Sequence, residues 1–125
     1  MNTSNYGTLE ACRKLVEKGI VLETEAGWYK IFRPGCHDFD MVLSARSGNE
    51  KFYGDNYPAP SMAEAWRELP EGFQQSRSCP VFWVEAEIHY AAYMQDFRIT
   101  SPYFNSTNPT DALIKLIIWL KEQKT

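Results

Sequence analysis

The chain has little of what marks several large protein classes. Its apolar runs stop at five residues, as in Leu116–Leu120, far short of the roughly 20 a membrane-spanning helix needs. Cysteine is sparse: Cys12, Cys36 and Cys79 are odd in number and widely spaced, which describes neither a disulfide framework nor a CxxC metal site. The expected role for such residues is that of small buried hydrophobes. Basic charge is not in excess, with 13 Lys and Arg against 16 Asp and Glu. No basic stripe of the kind that grips phosphates is visible, and the sequence predicts no nucleic-acid partner. Gly35, Gly48 and Gly54 are not spaced as a phosphate-binding loop or a dinucleotide fingerprint, and no GxSxG elbow is present. No cofactor is expected.

The start, Met1–Gly7, is polar and lacks a basic stretch followed by an apolar one. No cleaved secretion signal is predicted there, and the expected location is the cytoplasm, with no membrane partner. Residues 1–7 read as a loose tail, and residues 8–125 as one α+β domain. With 125 residues, 44% of them hydrophobic and 14% aromatic, the chain has enough apolar material to fill a core without staples.

Helix signals are the most explicit. Thr8 stands where a cap belongs, ahead of Leu9, Cys12, Leu15 and Val16 at helical spacing, and Gly19 is a natural stop. Ser61-Met62-Ala63-Glu64 is a capping box that opens a short helix with an apolar stripe of Met62, Ala65, Trp66 and Leu69, closed by Pro70. Asn108-Pro109-Thr110-Asp111 opens the last helix, whose core stripe is Leu113, Leu116, Ile117 and Leu120.

Strand signals lie between. Ile20–Thr24 and Trp28–Arg33 are β-rich, with Ala26-Gly27 as a turn, and Phe39, Met41, Leu43 and Ala45 alternate with Asp40, Val42 and Ser44. Phe52-Tyr53 suggests a short edge strand. Phe82, Val84, Ala86, Ile88, Tyr90, Ala92 and Met94 occupy even positions, as one long strand or a hairpin broken near Ile88. Pro102–Thr107 reads as irregular. Short turns between strands favour a mostly antiparallel sheet, with two longer helices and one short helix packed on it and with Trp66 and Trp119 largely buried.

Two segments carry a resemblance. Pro58–Pro70 (PAPSMAEAWRELP) and Asn108–Leu120 (NPTDALIKLIIWL) resemble small proteins of bacteriophages and prophages, particularly those of gut bacteria. The matching motifs are helix caps and packing stripes, and the group has no assigned activity to carry over. The resemblance implies an origin in a mobile element.

Three constellations are candidate sites. Cys36-His37-Asp38 sets nucleophile, base and acid side by side after the Pro34-Gly35 turn, although catalytic Cys and His usually come together only by folding. Glu85, Glu87 and His89, two apart on a strand, face one side roughly 6.5–7 Å apart, which suits a divalent metal; the plainer reading is the solvated face of a sheet. Ile114, Ile118 and Trp119 widen the last helix beyond one core-facing stripe, which makes them interface candidates for a homodimer unless that helix is buried on both sides. The aromatic residues read as core and partner packing. The function expected is a non-enzymatic protein-binding module of phage or prophage origin, binding another protein or itself. The alternative is a small metal-binding protein or enzyme built on Glu85, Glu87 and His89 or on the Cys36 loop.

Overall fold

The computed structural model describes residues 5–32, 34–35, 38–45, 56–72 and 77–123. In chain order the elements are α1 (Leu9–Glu17), β1 (Ala26–Phe32), β2 (Phe39–Ala45), β3 (Tyr57–Ala59), α2 (Met62–Arg67), β4 (Cys79–Glu85), β5 (Ile88–Gln95), β6 (Arg98–Ile99), β7 (Phe104–Ser106) and α3 (Pro109–Glu122). The fold is α+β, and every strand pairing is antiparallel. The described residues form two sheets rather than one. The first has the order β2-β1-β3; in the second, β5 pairs with β4 along one edge and with β6 and β7 along the other.

Helix ends follow the cap chemistry. The Thr8 hydroxyl accepts from Ala11 N, and Asn108 accepts from Asp111 N with Pro109 in the first turn. Ser61 and Glu64 form the reciprocal capping box, and the second Glu64 oxygen also accepts from Glu25 N at 3.0 Å. At the end of α1, Gly19 takes φ +73°, Ile20 N bonds Leu15 O and Gly19 N bonds Val16 O, which is a Schellman stop.

The main core lies where α3 covers the second sheet and meets α1 and α2. Leu113, Ile114, Leu116 and Ala112 are fully buried with Tyr93 and Ala91 of β5, Leu15 of α1 and Ala65 of α2. A smaller cluster of Cys12, Ala26 and Ala59, flanked by Tyr6, Trp28, Leu43 and Tyr57, fastens the base of the first sheet to α1.

Several expectations need correction. Ile20–Thr24 is not a strand: it has no strand partner among the described residues, and Ile20 and Leu22 are instead held by burial in the main core. Ala26-Gly27 begins β1 rather than turning, because both residues pair with β2 and β3. Phe104–Ser106, read as irregular, is drawn into β7 by pairing with His89–Ala91. Trp66 is 41% exposed, since α2 is short and buries only its Ala65 side, while Trp119 is half-buried against Phe104. Asn5–Gly7 is not a loose tail. Tyr6 bridges Ser61, Gly7 N donates to Pro60 O at 3.0 Å, and Asn108 Nδ2 and Thr110 Oγ1 donate to the carbonyls of Tyr6 and Asn5. The Phe52-Tyr53 strand lies outside the described residues. No helix among the described residues is long and apolar enough to cross a membrane.

Candidate functional site

Of the Cys36-His37-Asp38 constellation, only Asp38 is among the described residues, where it is exposed just before β2. The Glu85, Glu87 and His89 constellation is divided by a turn. Glu85 ends β4 opposite Ile88, and His89 lies opposite Val84. Ala86 and Glu87, with φ 48° and 68°, form the two-residue turn between them. Residues directly opposite share a face. Glu85 therefore projects on the side of Ile88, while His89 projects on the other side, with Val84. A continuous strand would have aligned them; the turn reverses the parity. The His89 ring stacks on Phe82 at 5.6 Å, and its Nδ1 is buried without a hydrogen-bond partner among the described residues. Among the described residues no three His, Cys, Asp or Glu side chains gather at a common point.

The interface candidates on α3 separate as well. Ile114 is fully buried, with its Cδ1 against the Cα side of Gly7, where an added Cβ would sit 2.6 Å away. Ile118 and Trp119 are partly buried and pack on the main core. Part of the helix's apolar excess is thus absorbed within the chain, by the Asn5–Thr8 segment on one side and the sheet on the other.

The polar centre of the molecule is structural. Thr8 N and Thr8 Oγ1 donate to the two Asp111 carboxylate oxygens at 2.8 and 2.6 Å. Asp111 lies in the first turn of α3 and touches the cap of α1, so one negative charge meets the positive ends of two helices. Nearby, the Cys12 thiol is pushed from 9.0 up to about 12, first by burial and then by the Asp111 charge. At that value it is a thiol, not a nucleophile, at neutral pH. Cys79, by contrast, is exposed rather than buried, because it opens an edge strand.

Several large apolar side chains are exposed on both faces of the outer part of β1 and β2. Ile31, Phe32, Phe39 and Val42 are 50, 59, 46 and 38% exposed. Phe32 and Phe39 are directly opposite, with ring centroids 6.2 Å apart in an edge-to-face contact. The Lys30 ammonium stands over both rings, 4.2 Å from the Phe39 centroid and 5.4 Å from that of Phe32. The base of the same ribbon is anchored: Ala26 is fully buried and Trp28 Nε1 donates to Gly7 O at 3.0 Å. Apolar groups thus face water on a ribbon held rigidly at its root. The alternation in Phe39–Ala45 signalled the strand, but nothing in it marked which end would be left uncovered.

Comparison of the chain with protein-family models, curated proteins and solved structures finds no match.

Proposed function

We propose that this chain is a non-enzymatic protein-binding module of phage or prophage descent that acts in the cytoplasm. The observation that carries the reading is the exposed Phe32–Phe39 pair under the Lys30 ammonium at the outer end of the β1–β2 ribbon, with Ile31 and Val42 exposed on the opposite face. Clustered apolar side chains in water favour an interface, and an aromatic pair with a cation over it is a typical anchor for one. The descent rests on the likeness of Pro58–Pro70 and Asn108–Leu120 to small phage and prophage proteins.

The test is affinity capture from the native host with the wild-type chain and with a Phe32→Ser/Phe39→Ser variant, followed by mass spectrometry. The expected result is a protein retained by the wild type and lost with the variant. Capture of the same proteins by both, or of none, overturns the role of the ribbon. A stoichiometric metal ion in protein purified without chelator, lost on Glu85→Ala or His89→Ala, would instead favour the metal-binding alternative.

A further inference from the structure

We infer that the edge of β4 left unpaired among the described residues pairs with β4 of a second copy of this chain, antiparallel and centred on Phe82. The inference rests on the binding-module reading and names one partner and one surface for it.

Among the described residues, β4 is paired along one edge only, by β5. The direction of its backbone groups follows from its neighbour. Pro80 lies opposite Tyr93, and Tyr93 directs its own N–H to Ser101 Oγ and its carbonyl to Thr100 N, both on the far side of β5. Pro80 and Tyr93 therefore do not bond each other. By antiparallel alternation Pro80, Phe82 and Val84 all turn their backbone groups to the open edge. Pro80 has no N–H to offer there, which is the placement that proline tolerates in a sheet. Phe82 and Val84 do offer theirs, and Val84 is 52% exposed.

Natural edge strands are commonly protected by charge or proline; Cys79–Val84 carries no charge, and its one proline, Pro80, leaves the Phe82 and Val84 groups open. The charges sit at its two ends and have opposite sign: Arg77 before the strand, Glu85 and Glu87 after it, all exposed. Antiparallel pairing about Phe82 sets Pro80 opposite the second copy's Val84 and Val81 opposite its Trp83. Each Val84 N–H then reaches the other copy's Pro80 carbonyl, and the two Phe82 groups exchange both of their bonds. Arg77 of each copy falls alongside Glu85 and Glu87 of the other. A parallel arrangement would set Arg77 beside Arg77. Charge at the strand ends thus selects the two-fold, self-closing geometry.

The experiment is light scattering of the full chain over a dilution series. The wild type is expected to pass from monomer to dimer. Val84→Pro removes an outward donor without touching the β4–β5 ladder, and is expected to weaken the dimer at least about tenfold. Arg77→Glu alone, and Glu85→Arg/Glu87→Arg alone, are each expected to weaken it roughly tenfold, and an equimolar mixture of the two variants to restore it. These side chains are exposed, so the charge variants retain the fold even if Val84→Pro does not. A wild type that stays monomeric at high micromolar concentration overturns the proposal. So does a dimer indifferent to the charge variants, or variants that fail to complement each other. If such a monomer still captures a host protein through Phe32 and Phe39, only the self-pairing has failed and the module reading stands.

Discussion

The hairpins β1–β2 and β4–β5 are built from similar material and end in different surroundings. Both pair seven residues of β-rich, aromatic sequence over a full antiparallel register. In the β4–β5 hairpin, α3 lies over one face, and Ala91 and Tyr93 on that face have no exposed surface. In the β1–β2 hairpin only the root is covered: Ala26 is buried, whereas Phe32 at the far end is 59% exposed. The same alternating pattern becomes core in one place and open surface in the other. What differs is not the strand but whether a helix reaches it, and helices reach only one of the two sheets along its length. Burial is worth about 25 cal/mol per Å² of apolar surface, so the covered hairpin contributes stability that the outer half of the other does not.

The largest effect should separate the two regions directly. Leu116→Ala opens a cavity beneath the second sheet and is expected to cost about 3 kcal/mol, whereas Phe32→Ala should change stability by no more than about 0.5 kcal/mol. Urea unfolding of both variants checks this, and equal losses would mean that the ribbon is covered after all. Next in size is Asp111→Ala, which strips the Thr8 backbone and hydroxyl of their buried acceptor and should cost about 2 kcal/mol. A loss near zero would show that the α1–α3 junction is held by packing alone.

Alkaline pH tests the buried side in another way. Cys12 and Tyr93 each stand at about 12 in the folded chain, against 9.0 and 10.0 ordinarily, and burial is the leading cause for both. The folded state keeps both protons where the unfolded chain has released them. Stability is therefore full below pH 9 and falls as pH rises from there towards 12. Cys12→Ala should remove the earlier part of that fall, as read from urea midpoints across the window. An unchanged pH profile would deny the thiol its buried environment. The smallest effect concerns the turns. Ala86-Glu87 and Asp96-Phe97 hold four positive φ angles, from 48° to 68°, without a glycine. Replacing Ala86-Glu87 by Asn-Gly should stabilise by about 1 kcal/mol, seen as a raised thermal midpoint. No gain would mean that the turn is not strained.

The legible parts of the fold are those whose partners lie close in sequence. The core stripe Leu113, Leu116, Ile117 and Leu120 is buried throughout, and β4 and β5 break apart near Ile88. The less legible parts turn on distant contacts. Val16 sits at helical spacing with Leu9, Cys12 and Leu15 but is 38% exposed, because α1 is covered on the side of Cys12 and Leu15. Glu85, Glu87 and His89 share a parity on paper, and a two-residue turn, which only the hairpin reading allows, puts Glu85 and His89 on opposite faces. Trp66 belongs to an apolar stripe by spacing, yet α2 is too short to bury a whole face.

The amino-acid sequence by itself determined the helix starts and stops, since Thr8, Ser61 with Glu64, Asn108 with Pro109, and Gly19 act through hydrogen bonds that close within a few residues. It also favoured antiparallel pairing of β1 with β2 and of β4 with β5, whose connections are short. Tertiary structure alone decided that Asn5–Gly7 is strapped to α3, that Asp111 serves the ends of two helices, that Ile114 lies inside, and that Phe32 and Phe39 face water. Each of these depends on which surfaces meet across tens of residues. An apolar side chain is driven from water with the same force wherever it stands, so only the packing of distant elements selects which ones are covered.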